Sequence, residues 1–229
     1  MTETITAERA VEALRAVGNA EDAASQAAYH KSVREHLGVR NPVLDDFVKD
    51  WRASLDVAGR VSLADGLWRT DIHEARIAAG KLLTQARIRE GEAEVWALIS
   101  SWVPTFDAWA VSDHAASAGA RRLTAHPERL DEVEEWTKAE NMWARRAALI
   151  FTLPWAKGRH PDADDRARRE RILGWAEHYK TDHDWFIQKA IGWWLRTLSK
   201  HDPERVSAFL ADHGEALKPF ARREAGKYL

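Results

Sequence analysis

The chain has no cysteine among its 229 residues, so it forms no disulfide, no thiolate metal site and no cysteine nucleophile. No apolar run approaches the ~18 residues that a membrane-spanning helix needs. The segment Met1–Thr6 lacks the apolar core of a signal peptide. The 10 histidines show no metal-ligand spacing, and no glycine-rich phosphate loop occurs. These absences predict a soluble cytoplasmic protein with no membrane partner, no metal and no cofactor.

The chain also has no large excess of positive or negative charge. The 34 Lys and Arg against 36 Asp and Glu give a formal net charge of -2, which argues weakly against a nucleic-acid partner. Residues 141–200, however, hold 12 basic against 7 acidic residues. Such a local excess is typical either of an electrostatic footprint for nucleic acid or of ordinary solvated helix faces.

Apolar residues recur at three- and four-residue spacing along most of the chain, and alternating β-type runs are absent. The pattern predicts an all-α protein of roughly a dozen helices. Breaks between them are predicted from proline and glycine at Asn41-Pro42, Gly66, Gly91, Val103-Pro104, His126-Pro127, Pro154, Pro161 and Asp202-Pro203.

Five of the predicted helices share a small-residue core flanked by basic or polar residues, and they recur roughly every 30–45 residues. This spacing predicts one domain, residues 1–229, built as a curved right-handed solenoid of HEAT-like helical repeats. Residues 1–60 are expected to form an N-terminal helical cap and residues 61–229 the repeats. The five segments are His73–Ala79, Asp113–Arg122, Trp143–Ala148, Phe186–Gly192 and Ala221–Ala225.

The 12 tryptophans include several beside charged residues. Trp109 and Asp113 are four residues apart, which places an indole and a carboxylate on one helix face. Alone, Trp109 is more often a core residue and Asp113 a surface acid or a cap. Trp193 and Trp194 cannot face the same way, so one of them is expected to be buried. Packing is also the expected role of five others: Trp96, Trp102, Trp136, Trp155 and Trp175.

Four strings resemble those of a known family, the DNA alkylation-repair glycosylases built from HEAT-like repeats, or AlkD family. The resemblance extends from about Tyr29 to the end of the chain. It implies hydrolysis of the N-glycosidic bond of purines alkylated at N3 or N7, within double-stranded DNA and without base flipping. The strings are Trp109–Asp113, Trp143–Phe151, Phe186–Arg196 and Arg222–Ala225.

The resemblance also implies roles for individual residues. Asp113 matches the catalytic acid, and Trp109 and Trp193 match the tryptophans that pack against the damaged nucleotide. Arg146 matches a backbone contact beside the lesion, with Arg145 as the alternative, and Tyr29 matches an N-terminal aromatic contact. Further phosphate contacts are expected from Lys189, Arg196, Arg222 and Arg223, whereas His114 is expected to be structural.

The chemistry of the lesion fits a single acid. Alkylation at N7 or N3 makes the purine cationic and therefore a good leaving group, so the second carboxylate of ordinary glycoside hydrolysis is not needed. Asp113 is then expected to stabilise the oxocarbenium-like sugar and to position water. The expected enzyme is a monomeric, monofunctional glycosylase, cytoplasmic and at the nucleoid while it acts.

Two other functions remain open from sequence. One is a non-catalytic DNA-binding relative that recognises distorted or branched duplexes, which would lack the acid or the tryptophans. The other is a HEAT-type protein-interaction scaffold, which the net charge of -2 favours. Binding of duplex DNA that weakens steeply with salt would argue against the scaffold.

Overall fold

The computed structural model describes residues 5–229 and is helical throughout, with no β-strand in that range. The all-α prediction is confirmed. Short 3-10 turns lie at Val103–Thr105, Pro127–Arg129, Tyr179–Thr181 and Gly214–Ala216. The α-helices are α1 (Ala7–Ala16), α2 (Ala20–His30), α3 (Asn41–Ser54), α4 (Val57–Arg69), α5 (His73–Leu83), α6 (Glu92–Trp102), α7 (Trp109–Ala125), α8 (Leu130–Trp136), α9 (Met142–Phe151), α10 (Leu153–Lys157), α11 (Ala163–His178), α12 (Trp185–Ser199), α13 (Pro203–His213) and α14 (Pro219–Ala225).

Most of the predicted breaks coincide with helix starts. Pro42 stands at the beginning of α3, where its missing N–H is not needed. Asp202 caps α13 by accepting a hydrogen bond from the Arg205 N–H. Gly91 precedes α6 with a φ of 76°, a left-handed conformation that favours glycine.

Gly66 is the break that was predicted wrongly, because it lies inside α4. A Cβ atom at this position would lie 2.6 Å from the Cβ of Ala7 in α1. The glycine therefore permits close packing of α1 on α4 and does not end the helix.

The chain forms two compact units, Met1–Arg122 and Leu123–Leu229. In the first unit, α3 and α4 pack against α5, and α1 packs against α4. Gly80 of α5 faces the backbone of α7, because a Cβ there would lie 2.9 Å from the carbonyl carbon of His114. In the second unit, α12 packs against α9, α10, α13 and α14. Gly192 of α12 faces the backbone of α14 in the same way, because a Cβ there would lie 3.1 Å from the carbonyl oxygen of Ala221.

The five small-residue segments thus lie on α5, α7, α9, α12 and α14. Small side chains and glycines are needed there because neighbouring helices of each unit approach at backbone distance. The predicted division into a cap of residues 1–60 and repeats of residues 61–229 stays a prediction. Within residues 5–229, no helix combines the length and the apolar character that crossing a membrane requires.

Candidate functional site

Trp109 is the first residue of α7, and Asp113 follows one helical turn later. The predicted helical spacing is therefore confirmed, and both residues are half-buried. Their position at the start of the helix follows from the chain before it, because Phe106 and Ala108 are buried and anchor the entry to α7. An indole and a carboxylate are consequently presented from the same first turns of one helix.

Tyr29, the predicted N-terminal aromatic contact, lies against Trp109. The two ring centroids are 5.8 Å apart in a T-shaped arrangement. Tyr29 belongs to the last turn of α2 and keeps 70% of its surface exposed. The first unit thus joins three of the expected site residues, Tyr29, Trp109 and Asp113, although 80 positions separate the first from Trp109.

A cleft of about 410 Å³ opens between α3, α5 and α7, and α7 contributes His114 and Ser117 to its walls. Its walls include Lys49, Arg52 and Lys81, none of which the sequence analysis selected. Lys81 donates to the Asp45 carboxylate at 2.5 Å. Burial, and after it the neighbouring Arg60 and Arg121, lower the pKa of Arg52 from its ordinary value. The cleft is therefore a place where positive charges are crowded and where an anion would relieve their repulsion.

This basic cleft had a signal in the sequence. Asp45, Lys49 and Arg52 are four and three residues apart, so they occupy one face of α3. Nothing in the sequence, however, showed that this face meets Lys81 and α7.

His114 also lines the basic cleft, next to the candidate catalytic acid. Burial, and then the charge of Lys81, lower the pKa of His114 to about 4. The imidazole is therefore neutral at physiological pH, and its expected structural role stays a prediction.

In the second unit, α9 carries the two arginines between which the sequence left a choice. Arg145 is half-buried and donates to the carbonyl oxygens of Ala139 and Glu140 at 2.9 and 2.8 Å. It also pairs with Asp182 at 3.2 Å. Arg146 is only 2% exposed, and its guanidinium carbon lies 6.0 Å from the ring centroid of Trp143. A direct contact of Arg146 with DNA thus requires its side chain to move. The choice between Arg145 and Arg146 as the contact with the DNA backbone stays a prediction.

One face of α12 carries three more of the expected residues. Lys189 is exposed, whereas Trp193 and Arg196 are half-buried, and the spacing of four and three residues aligns them. Trp194 is fully buried, which confirms that only one of the two adjacent tryptophans faces outward. Arg196 forms an ion pair with Glu224 of α14.

The two arginines of α14, Arg222 and Arg223, are both exposed. Arg222 pairs with Glu215 at 2.5 Å. An exposed pair of this kind contributes little to stability, so a phosphate can replace the carboxylate at small cost.

Trp185 is a surface residue that sequence analysis missed. It is the first residue of α12, is 54% exposed, and stacks on Phe220 with ring centroids 3.9 Å apart. It precedes Lys189 by four residues and Trp193 by eight, so it lies on the same helix face, roughly 12 Å from Trp193 along the axis. The spacing was visible in the sequence, but the exposure of an indole is not.

The five tryptophans expected to pack are all buried, so that prediction is confirmed. They are Trp96, Trp102, Trp136, Trp155 and Trp175.

Two further features lie outside the candidate site. Between residues 5 and 229, no group of three or more histidine, aspartate or glutamate side chains is arranged to hold a metal ion. A wider groove of about 1040 Å³, between α4, α6 and the 84–91 loop, contains none of the expected site residues.

Comparison with known proteins identifies one matching family. A family model described as DNA alkylation repair enzyme matches residues 10–229. A solved structure described as a predicted DNA alkylation repair enzyme from Enterococcus faecalis shares 26% identity, with a TM-score of 0.76 over 93% of this chain and 96% of that one. No curated protein matches the chain.

Two structures from Streptococcus mutans share the fold at lower identity. AlkD2 is 19% identical, with a TM-score of 0.60 over 83% of this chain and 91% of that one. The protein smu.31 is 20% identical, with a TM-score of 0.59 over 82% of this chain and 96% of that one. The fold is thus one that AlkD-type helical-repeat proteins also adopt.

Proposed function

The chain belongs to the family of DNA alkylation repair enzymes and acts in the repair of alkylated DNA, and from that premise we propose that it is a monofunctional DNA glycosylase. Its substrate is an N3- or N7-alkylated purine in duplex DNA. The observation that carries the proposal is the grouping of Tyr29, Trp109 and Asp113 at the start of α7. Two aromatic rings beside one carboxylate suit a cationic sugar held next to a flat base.

The reaction begins with cleavage of the bond between C1′ and the purine nitrogen. The electron pair of that bond goes to the alkylated purine, which leaves as a neutral base. Positive charge is left on the sugar, and the Asp113 carboxylate stabilises it more in the transition state than in the ground state. Water then adds to C1′ and loses a proton, which gives an abasic site.

The aromatic residues assist by geometry and by charge. The face of an indole attracts a cation by roughly 0.5–2 kcal/mol, depending on how far the pair is desolvated. Trp109 lies on the same helix as Asp113 and is buttressed by Tyr29, so its plane is held in one orientation. Trp193 is proposed as the second indole at the lesion.

Binding of the duplex is assigned to basic side chains on helix faces, which contact phosphates and leave the base stacked. Arg145, Arg146, Arg222 and Arg223 are proposed from the resemblance, together with Lys189 and Arg196. The basic cleft adds Lys49, Arg52 and Lys81 in the first unit. Each phosphate neutralised steepens the salt dependence of binding by about one unit of slope. A single copy of the chain is proposed to act on each lesion.

The test is single-turnover release of 7-methylguanine from a duplex with one defined lesion. Asp113→Asn keeps the size of the side chain and removes its charge. We expect a rate loss of roughly 100- to 1000-fold, with the affinity for the duplex nearly unchanged. Asp212→Asn, which changes an exposed acid of α13, is the matched control and should keep the wild-type rate.

Retention of the wild-type rate by Asp113→Asn would refute the mechanism. Release of unmodified purines at a comparable rate would refute the substrate class. A wild-type protein that binds the duplex and releases no base would instead be the non-catalytic DNA-binding relative.

A further inference from the structure

Three imidazole rings are clustered behind Trp109, and the one that contacts the indole, His30, is tilted by 41° to it and by 34° to His73. His30 lies 5.0 Å from Trp109 and 4.5 Å from His73, measured between ring centroids. His73 in turn stacks on His36 at 4.4 Å, with 20° between the two ring planes. We call His30, His36 and His73 the histidine stack. His30 also contacts Tyr29, with ring centroids 5.1 Å apart, so Trp109 and Tyr29 both contact the same imidazole.

The histidine stack is held by the 31–40 segment. Glu74, which is 2% exposed, accepts hydrogen bonds from the backbone N–H groups of Leu37, Gly38 and Val39 at 2.8 to 3.2 Å. The neighbouring His73 N–H donates to the carbonyl oxygen of Glu35 at 2.9 Å. The segment that carries His36 is therefore fixed to the start of α5, which carries His73.

The nitrogens of the histidine stack have almost no hydrogen-bond partners. His36 donates from Nδ1 to the carbonyl oxygen of Arg34 at 2.9 Å. Nδ1 of His30, Nε2 of His36 and both nitrogens of His73 are buried and have no partner among the described residues. Buried polar atoms are normally hydrogen-bonded, so an arrangement that leaves four without a partner calls for a reason.

Metal binding is not that reason. Among the described residues, no group of three or more histidine, aspartate or glutamate side chains is arranged to hold a metal ion. What these rings do provide is flat faces against which a further aromatic ring can pack.

We propose that His30 is a positioning residue for Trp109 and Tyr29, and that contact with His73 holds the His30 ring in place. The inference rests on the proposed function, because that function is what makes the position of Trp109 important for base release. The contacts of His30 with Trp109 and Tyr29 do not depend on it. Two adjacent imidazolium rings would repel each other across 4.4 to 4.5 Å in a buried setting. The repulsion would separate the rings and release Trp109.

Burial and the surrounding charges oppose protonation of His30 and His73. For His73 burial is the largest cause, followed by the two other histidines and then by Arg34 and His114, and together they lower its pKa to about 3. Burial and His36 also lower the pKa of His30, and only Glu74 acts in the other direction. Arg34 is itself held by Asp71 and Asp107. Burial and the neighbouring charges therefore disfavour the charged forms of His30 and His73.

The test labels the whole chain with 5-fluorotryptophan and follows the fluorine resonance of Trp109, assigned by its absence in Trp109→Phe. We expect His30→Ala to shift and broaden this resonance and to slow 7-methylguanine release by on the order of 10- to 100-fold. His30→Phe, which keeps an aromatic ring, should retain the wild-type resonance position and most of the rate. His160→Phe, at an exposed position, is the control and should keep the wild-type resonance and rate.

The proposal is overturned if His30→Ala leaves the Trp109 resonance in place, or if His30→Phe shifts and broadens it as His30→Ala does. The resonance does not depend on catalysis. If the wild type releases no 7-methylguanine, the proposed glycosylase function fails, while the resonance still decides whether His30 positions Trp109.

Discussion

Mild acid should destabilise this protein through two histidines of the first unit, the buried His73 and the half-buried His114. Burial is the largest cause of the low pKa of each, about 3 for His73 and about 4 for His114. Both residues have the ordinary pKa of about 6.5 when the chain is unfolded. The unfolded chain therefore takes up protons first, so stability is complete above pH 6.5 and falls as the pH decreases.

The size of the effect follows from the two pKa values. Between pH 7 and pH 5, each unfolded histidine gains a proton that its folded counterpart refuses, which costs about 2 kcal/mol per residue and about 4 kcal/mol together. Carboxylates in ion pairs do not contribute in this window. Arg15 lowers the pKa of Glu35, and Arg171 lowers that of Glu134, so both lose their contribution only below the ordinary carboxylate range near 4.

The assay is urea unfolding at pH 7, 6 and 5, followed by circular dichroism. His73→Gln removes one titrating group, so its stability should fall by about 2 kcal/mol less than that of the wild type across this range. His160→Gln, at an exposed position, should follow the wild type. Parallel pH dependence in the wild type and His73→Gln would refute the argument, because it would show that His73 titrates normally in the fold.

Three further predictions concern packing and DNA binding. Gly192→Ala should lower the free energy of unfolding by about 1–3 kcal/mol, because its Cβ would lie 3.1 Å from a backbone oxygen. Gly174→Ala in α11, where a Cβ would have nothing within 4 Å, should raise it by about 0.5–1 kcal/mol. Thermal denaturation measures both changes, and equal shifts in the two variants would contradict the close approach at Gly192. Trp185→Ala should weaken duplex binding by fluorescence anisotropy without slowing base release at saturation, and Trp185→Phe should restore most of the affinity. The double variant Lys49→Gln/Arg52→Gln should reduce the slope of log affinity against log salt by about 2, and an unchanged slope would remove these residues from the DNA contact.

Local periodicity was enough to predict the helices and part of the site. Trp109 and Asp113 are four residues apart on a real helix, and Trp194 is buried while Trp193 is not. Each of these statements depends on neighbours within two helical turns, where spacing alone fixes direction. Gly66 shows the limit of the same logic, because its role is set by Ala7, nearly 60 positions away.

The basic cleft and the histidine stack could not be predicted in this way. Each is assembled from segments that are distant in sequence and that show no common pattern. His30 ends α2, His36 lies in a segment without regular structure, and His73 begins α5. In the sequence each is a lone histidine, for which a satisfied core or surface position is the ordinary expectation. Only the fold shows that their rings meet and that most of their nitrogens have no partner.

The support beneath the candidate site is therefore polar where an apolar core would have been more stable. A leucine in place of His73 would avoid the desolvation of two ring nitrogens, which have no hydrogen bond in return. A leucine would also present no ring face, whereas an imidazole offers a flat face to an aromatic neighbour. The proposed glycosylase, which depends on one carboxylate and the plane of an indole, is sensitive to errors of about 1 Å. The histidine stack gives up stability at a buried position, and the Glu74 contacts that fix the 31–40 segment make that loss tolerable.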